Sequence, residues 1–126
     1  MRRFLTLSVV LLVSIALAAE NITVSAILKD PSRFDNKAIT VVGKVAKFKA
    51  RTSRAGNKYF TFDLTEGTSH IPVYGKGELK PEPKDGDKVE ATGLFAKERK
   101  LGSSTFKNEL DVTKKEKEKF GVKVVK

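Results

Sequence analysis

The chain has 126 residues, and its 25 lysines and arginines against 15 acidic residues give a formal net charge of +10. This length is enough for one small domain, and the 40% share of apolar residues predicts that the domain folds. With no cysteine and one histidine, the sequence excludes disulfides, thiol catalysis, cysteine-ligated zinc and any two-histidine metal site. We therefore expect neither a metal nor a cofactor.

The first residues have the three-part layout of a secretory signal peptide. A basic start, Met1-Arg2-Arg3, precedes an apolar run, and Ala16-Leu17-Ala18 then places small residues before a cleavage site. The alternative is a retained anchor, although the apolar run of residues 4–19 is shorter than the ~20 residues of a membrane span. We predict a signal peptide at 1–18, a periplasmic or secreted protein, and no transmembrane segment after cleavage.

The mature chain is predicted to begin with a short helix and to continue as strands. Thr23 or Ser25 caps the helix, which ends at Lys29 before Asp30-Pro31 interrupts it. Five strands are predicted, at residues 39–49, 58–65, 69–74, 88–97 and 105–112. A glycine within a strand indicates a bulge or bend, so Gly43 marks one in the first strand.

Alternation assigns the side chains of these strands to two faces. The predicted core-facing residues of the second and third strands are Phe60, Phe62, Leu64, Ile71 and Val73. The opposite face then carries Tyr59, Thr61, Asp63, His70, Pro72 and Tyr74. In the last strand the core candidates are Phe106, Leu110 and Val112. Residues 114–126 are predicted as a charged C-terminal tail with a short strand near its end.

A small sheet of five strands loses its exposed edges by closing into a barrel, and Gly43 and Gly93 supply bends. Residues 39–45 (ITVVGKV), 59–65 (YFTFDLT) and 85–95 (DGDKVEATGLF) resemble the OB-fold, specifically exported and nucleic-acid-binding bacterial OB domains. The predicted fold class is therefore mainly all-β: a five-stranded OB-fold barrel at 22–113 with a short N-terminal helix, after a cleavable signal peptide. The resemblance implies binding through strands two and three and their loops, to oligonucleotides, oligosaccharides or proteins.

Positive charge concentrates on the first strand, the first loop and the start of the second strand. Residues 36–62 contain seven lysines and arginines and no acidic residue. Such segregation favours an anion-binding surface over a uniformly solvated one. Tyrosines beside cations suit single-stranded nucleic acid, because bases stack on rings while cations contact phosphates. An equally open interpretation is that Tyr59 and Tyr74 only cover the barrel. The predicted nucleic-acid-binding residues are Lys44, Lys47, Lys49, Arg51, Arg54, Lys58, Tyr59, Thr61, His70, Tyr74, Lys97 and Arg99.

The sequence thus predicts an exported, non-enzymatic module for single-stranded nucleic acid or a similar polyanion. The alternative is an envelope protein that uses the same face for a protein or anionic polysaccharide partner. We find no phosphate-binding loop, nucleophile elbow or calcium loop, and we predict no catalytic residue. The spacing of His70 and Tyr74 also occurs in the periplasmic haem chaperone of cytochrome c maturation. There it follows the barrel, whereas here it lies inside a predicted strand, so we expect no haem.

Overall fold

The computed structural model describes residues 21–115 and 118–125, so the predicted signal peptide lies outside the described residues. The strands are β1 (Ile22–Thr23), β2 (Lys37–Thr52), β3 (Lys58–Glu66), β4 (Ser69–Lys76), β5 (Lys88–Leu101), β6 (Ser104–Asp111) and β7 (Gly121–Val124). Helix α1 (Val24–Lys29) and a short 3-10 helix (Pro31–Arg33) precede β2. Within these described ranges, no helix has the length and apolar character needed to cross a membrane.

Five of the strands close into a ring. Antiparallel pairing joins β2 to β3 and β5, β3 to β4, and β5 to β6, while β4 and β6 pair in parallel and complete the ring. β1 and β7 extend the sheet outside the ring, beside β2 and β5. This is the five-stranded barrel of an OB-fold, and it confirms the predicted fold class.

The barrel interior is filled by the predicted alternating residues. Phe60, Phe62, Leu64, Ile71 and Val73 are all buried, as the alternation of β3 and β4 predicts. Helix α1 contributes two further fully buried residues, Val24 and Ile27. Its N-terminus is capped by Thr23, whose Oγ1 accepts a hydrogen bond of 3.2 Å from the Ala26 amide.

The last two ring strands form a longer hairpin than the sequence predicts. The segment 98–104, which separates the fourth and fifth predicted strands, is mostly paired: β5 and β6 stay together as far as Leu101 and Ser104, and only a turn at Gly102 remains. Leu110 and Val112 are buried as predicted, but the core assignment of Phe106 is wrong. Phe106 lies on the part of the hairpin that extends past the ring, and its side chain is 36% exposed.

The segment after residue 113 returns to the barrel at its end. The lysine and glutamate alternation there predicts a solvated tail, and Lys115 and Glu118 are exposed. Phe120 is buried, and β7 then pairs antiparallel with β5 from Gly121↔Thr92 to Val124↔Val89. A short strand near the end of the tail is therefore present.

Candidate functional site

A β-bulge in β2 decides which side chains reach the outer face of the barrel. Ala46 is opposite Asp63 but Lys49 is opposite Thr61, so β2 contains one extra residue between them. The extra residue is accommodated at Lys47, whose φ of 57° lies in the left-handed region. Because an extra residue reverses the alternation, Lys49 and Arg51 face outward although Val41 and Val45 face the core.

The residue that the bulge turns inward is Phe48. Its ring centroid lies 6.1 Å from the centroids of both Phe60 and Phe62, which anchors this half of β2 on the core. The bulge is therefore at Lys47, four positions after the glycine that the sequence suggests. Gly43 has a different role, because a Cβ atom there would lie 2.8 Å from the Thr65 carbonyl oxygen, where β2 and β3 approach closely.

Two rows of outward side chains run across β2, β3 and β4. One row joins Arg51, Tyr59 and Lys76 in register, and the next joins Lys49, Thr61 and Tyr74. The two tyrosine rings meet between these rows, with centroids 5.8 Å apart and planes inclined by 41°. We call Tyr59 and Tyr74 the aromatic pair. Both rings are half-buried, so one part of each remains open to solvent.

A shallow groove follows the aromatic pair. Its first part has a volume of about 230 Å³ and is lined by Lys47, Lys49, Arg51, Asp63, Tyr74 and Phe106, among others. Its second part has a volume of about 300 Å³, and the segment from Glu78 to Glu82 forms one wall. Arg51 lines both parts, so the two lie side by side, the first over β2, β3 and β4 and the second beside the paired ends of β2 and β3.

The cations around the groove fall into two groups. Lys47, Lys49, Arg51 and Arg54 are exposed, and no ion pair with them occurs among residues 21–115 and 118–125. Lys58 instead forms an ion pair of 2.5 Å with Glu78.

The ion pair with Glu78 offsets the positive charge of Lys58. Its hydrogen bond to Glu78 raises the pKa of Lys58, and hydrogen bonds from Lys58 and Lys80 lower the pKa of Glu78. Free positive charge on this face therefore lies mainly along the part of β2 after the bulge.

Arg99 is held against the aromatic pair by the β5–β6 hairpin. Its Nε donates a hydrogen bond of 2.8 Å to Glu109, and its guanidinium lies 4.8 Å from the ring centroid of Phe106 and 5.9 Å from that of Tyr74. The bond to Glu109 raises the pKa of Arg99. Burial, and then the negative charge of Asp111, raises the pKa of Tyr74, so its phenol stays neutral at physiological pH.

Other predicted site residues lie away from the aromatic pair. Lys44 and His70 flank Thr65, about 13 Å along β3 from Thr61. Lys97 faces the 3-10 helix, where its Nζ donates to the Ser32 hydroxyl at 2.9 Å.

The structure thus brings together seven of the predicted residues: Lys47, Lys49, Arg51, Tyr59, Thr61, Tyr74 and Arg99. Arg54 lies on the β2–β3 loop, and Lys58 lies at the groove wall. The predicted set omits Asp63, Phe106 and Glu109, which also line the groove. Alternation places Asp63 on this face, but its negative charge does not fit a surface predicted to bind an anion. In the described part of the chain, no three His, Cys, Asp or Glu residues are grouped to hold a metal ion.

Comparisons with known proteins show the fold alone. No protein-family model and no curated protein matches the chain. Among solved structures, it is similar to yeast Stn1 and Ten1, with a TM-score of 0.57, 15% identity, and coverage of 86% of this chain and 63% of that one. It is also similar to a protein described as an aspartyl-tRNA synthetase from Leishmania major, with a TM-score of 0.55, 16% identity, and coverage of 73% of this chain and 19% of that one.

An OB domain from Thermoplasma acidophilum aligns with a TM-score of 0.49 and 15% identity, over 83% of this chain and 86% of that one. The chain spans less than two thirds of both the yeast and the Leishmania chains.

Proposed function

We propose that this chain is an exported, non-enzymatic binding module whose groove binds single-stranded nucleic acid. The observation that carries the proposal is the aromatic pair, with ring centroids 5.8 Å apart, directly beside the exposed Lys49 and Arg51. The aromatic pair lies on the face of these strands opposite the core, where it is accessible to a ligand. The tyrosine rings suit a ligand with flat rings, and the neighbouring cations suit a flexible polyanion.

The two kinds of side chain divide the ligand between them. Bases of a single strand stack on the open parts of Tyr59 and Tyr74, and this contact tolerates any base because every base has a π-face. Lys47, Lys49 and Arg51 run along one side of the groove and attract the phosphates. Nucleic acid therefore uses both halves of the groove, whereas a polyanion without bases uses the cations alone.

The fold supports the same proposal. OB-fold barrels bind oligonucleotides on the face formed by the second and third barrel strands, which here are β3 and β4. The Leishmania protein, by its name, acts on a tRNA. The side chains that line the groove supply stacking, charge and hydrogen bonding, which are the requirements of a binding surface.

The first experiment is a salt titration with two ligands. The mature chain from Ala19 is titrated into a fluorescein-labelled single-stranded oligonucleotide, and separately into labelled heparin, from low to physiological salt. If four cations engage, the slope of log K against log salt for the oligonucleotide is about −3. We expect oligonucleotide binding to persist at physiological salt and to exceed heparin binding. Binding that merely equals heparin binding, or that vanishes, contradicts the proposal and points to another envelope partner.

A pair of charge-matched variants locates the site. Lys49→Gln with Arg51→Gln removes two cations from the groove, and Lys37→Gln with Lys44→Gln removes two cations from the other half of β2. We expect the first double variant to reduce the salt slope by about 1.4, and the second to leave it nearly unchanged. Equal effects from the two variants show that binding follows overall charge rather than the groove.

Export is tested separately from binding. The proposal of export depends on residues 1–18, whose pattern is that of a cleaved signal peptide. The full chain is produced in a bacterium, and the N-terminus of the protein outside the cytoplasm is sequenced. We expect it to begin at Ala19 or Glu20. Recovery of the uncleaved chain in the membrane fraction supports the retained anchor instead.

A further inference from the structure

Asp63 is an acidic residue in the lining of a groove whose other charged residues are mainly cations. It lies on β3 opposite Pro72, between Thr61 and Thr65 on the outer face, and it lines the first part of the groove. Its side chain is half-buried. Among residues 21–115 and 118–125 it accepts no side-chain hydrogen bond and joins no ion pair, unlike Glu109 in the same groove, which bonds Arg99.

A carboxylate in this position gives the groove two sides, one that favours phosphates and one that favours bases. It repels phosphates, so the backbone of a bound strand is confined to the side of Lys47, Lys49 and Arg51. The floor beside Asp63 is left for the bases. Asp63 and Tyr74 are diagonal neighbours across β3 and β4, roughly 7 Å apart, because Tyr74 is two residues beyond Pro72. A base stacked on Tyr74 therefore presents its edge within reach of the carboxylate.

The chemistry of the carboxylate selects among base edges. An ionised carboxylate accepts hydrogen bonds and donates none. Guanine presents two adjacent donors, N1–H and the N2 amine, which match the two carboxylate oxygens. Thymine and uracil present a single N–H between two carbonyl oxygens, which repel the carboxylate. Adenine and cytosine present an amine next to a ring nitrogen acceptor, which permits one bond.

From this arrangement we infer that the groove prefers guanine at the position over Tyr74, with Asp63 as the residue that sets the preference. The inference rests on the proposed function, since it requires that the groove bind a single strand. It goes beyond that function because stacking and charge alone predict no preference for a base.

The test uses four single strands that differ at two internal positions. Each is a twelve-nucleotide thymidine strand, either unmodified or with guanine, hypoxanthine or adenine at the same two positions. Hypoxanthine keeps N1–H but lacks the N2 amine, and adenine controls for the stronger stacking of a purine. Affinities are measured by fluorescence anisotropy at physiological salt in a lithium buffer, for the wild-type chain, Asp63→Asn and Asp30→Asn. Asp30 is exposed and lies outside the groove, so it controls for the loss of one negative charge.

We expect the guanine strand to bind about tenfold more tightly than the adenine strand, within the range of one good bidentate contact, with hypoxanthine between them. Asp63→Asn is expected to abolish this difference and to strengthen binding of the plain thymidine strand, because the repulsion of phosphates is gone. Asp30→Asn is expected to retain the preference.

Two results overturn the inference, and they differ in what they say of the proposed function. If all four strands bind equally well and Asp63→Asn tightens all of them alike, the preference is absent while the proposed function stands. If no strand binds the wild-type chain even at low salt, both fail. Thermal unfolding of each variant shows whether Asp63→Asn is folded.

Discussion

Tyr59 and Tyr74 are the two tyrosines of the chain, and the fold places them in contact on the outer face. Replacing either by alanine removes a stacking surface, so we expect affinity for a single strand to fall between about fivefold and a hundredfold for each ring. Anisotropy titrations at fixed salt measure this. Heparin binding is expected to stay within twofold, since heparin offers nothing to stack.

Phenylalanine variants provide the control for the tyrosine substitutions. Tyr59→Phe and Tyr74→Phe keep the ring and remove the hydroxyl, so we expect near wild-type affinity. If the phenylalanine variants lose as much affinity as the alanine variants, the hydroxyls rather than the rings bind the ligand. A melting curve of Tyr74→Ala checks that loss of this half-buried side chain leaves the barrel folded.

Gly93 is a single residue on which closure of the ring depends. A Cβ atom there would lie 2.2 Å from the carbonyl oxygen of Asp111 and 2.7 Å from its carbon, so β5 or β6 must shift to admit it. We expect Gly93→Ala to lower the free energy of unfolding by about 3 kcal/mol, as overpacking does. Urea denaturation measures the change.

The control for Gly93 is a glycine with a strained backbone but free space. Gly56 has a φ of +86° in the β2–β3 loop, and a Cβ atom there meets nothing within 4 Å. Gly56→Ala is expected to cost about 1 kcal/mol. Equal losses from the two variants contradict the steric account of Gly93.

At the scale of the element, the bulge in β2 is the feature that builds the candidate site. Lys47 holds it with a φ of 57°, which a residue with a Cβ adopts at a cost. Lys47→Gly and Lys47→Ala remove the same charge, but only glycine relieves the backbone. We therefore expect the glycine variant to be more stable than the alanine variant by about 1 kcal/mol. Equal stability in urea indicates that the bulge is held without strain.

At the scale of the whole molecule, Glu66 ties helix α1 to the barrel. Its carboxylate accepts hydrogen bonds from the Ser25 hydroxyl and, at 2.8 Å, from the Ser25 amide. These bonds lower the pKa of Glu66 below its ordinary value of 4.5, with the hydroxyl the larger cause. The stability that they contribute is therefore present above pH 4.5 and is lost as the pH falls through the lowered pKa.

We expect Ser25→Ala to reduce stability at neutral pH, because the hydroxyl bond to Glu66 is lost. The difference in unfolding free energy between Ser25→Ala and the wild type should then narrow as the pH falls through the lowered pKa of Glu66. Urea denaturation between pH 7 and pH 2 measures it. Ser32→Ala is the matched control, because its hydroxyl accepts a hydrogen bond from Lys97 and does not donate one to a carboxylate such as Glu66. A difference for Ser25→Ala that does not change with pH rules out Glu66 as its cause.

The interior of the barrel and the positive charge of its surface can both be predicted from the amino-acid sequence. Alternation of Phe60, Phe62 and Leu64 identifies the core face of β3 because each strand residue points opposite to its neighbour. The excess of lysine and arginine between residues 36 and 62 can also be predicted from the sequence, since it depends only on composition.

Which cations of the chain are free of ion pairs, and which face they occupy, depends on the tertiary structure. Glu78 pairs with Lys58, and Glu109 pairs with Arg99, although local sequence does not show which carboxylate will reach which cation. The bulge at Lys47 likewise cannot be predicted from a glycine, because none occupies that position. It follows from the register that β3 imposes on β2, and it turns Lys49 and Arg51 to the side of the aromatic pair. These features are long-range contacts, and they form only when strands distant in the chain come together in the closed barrel.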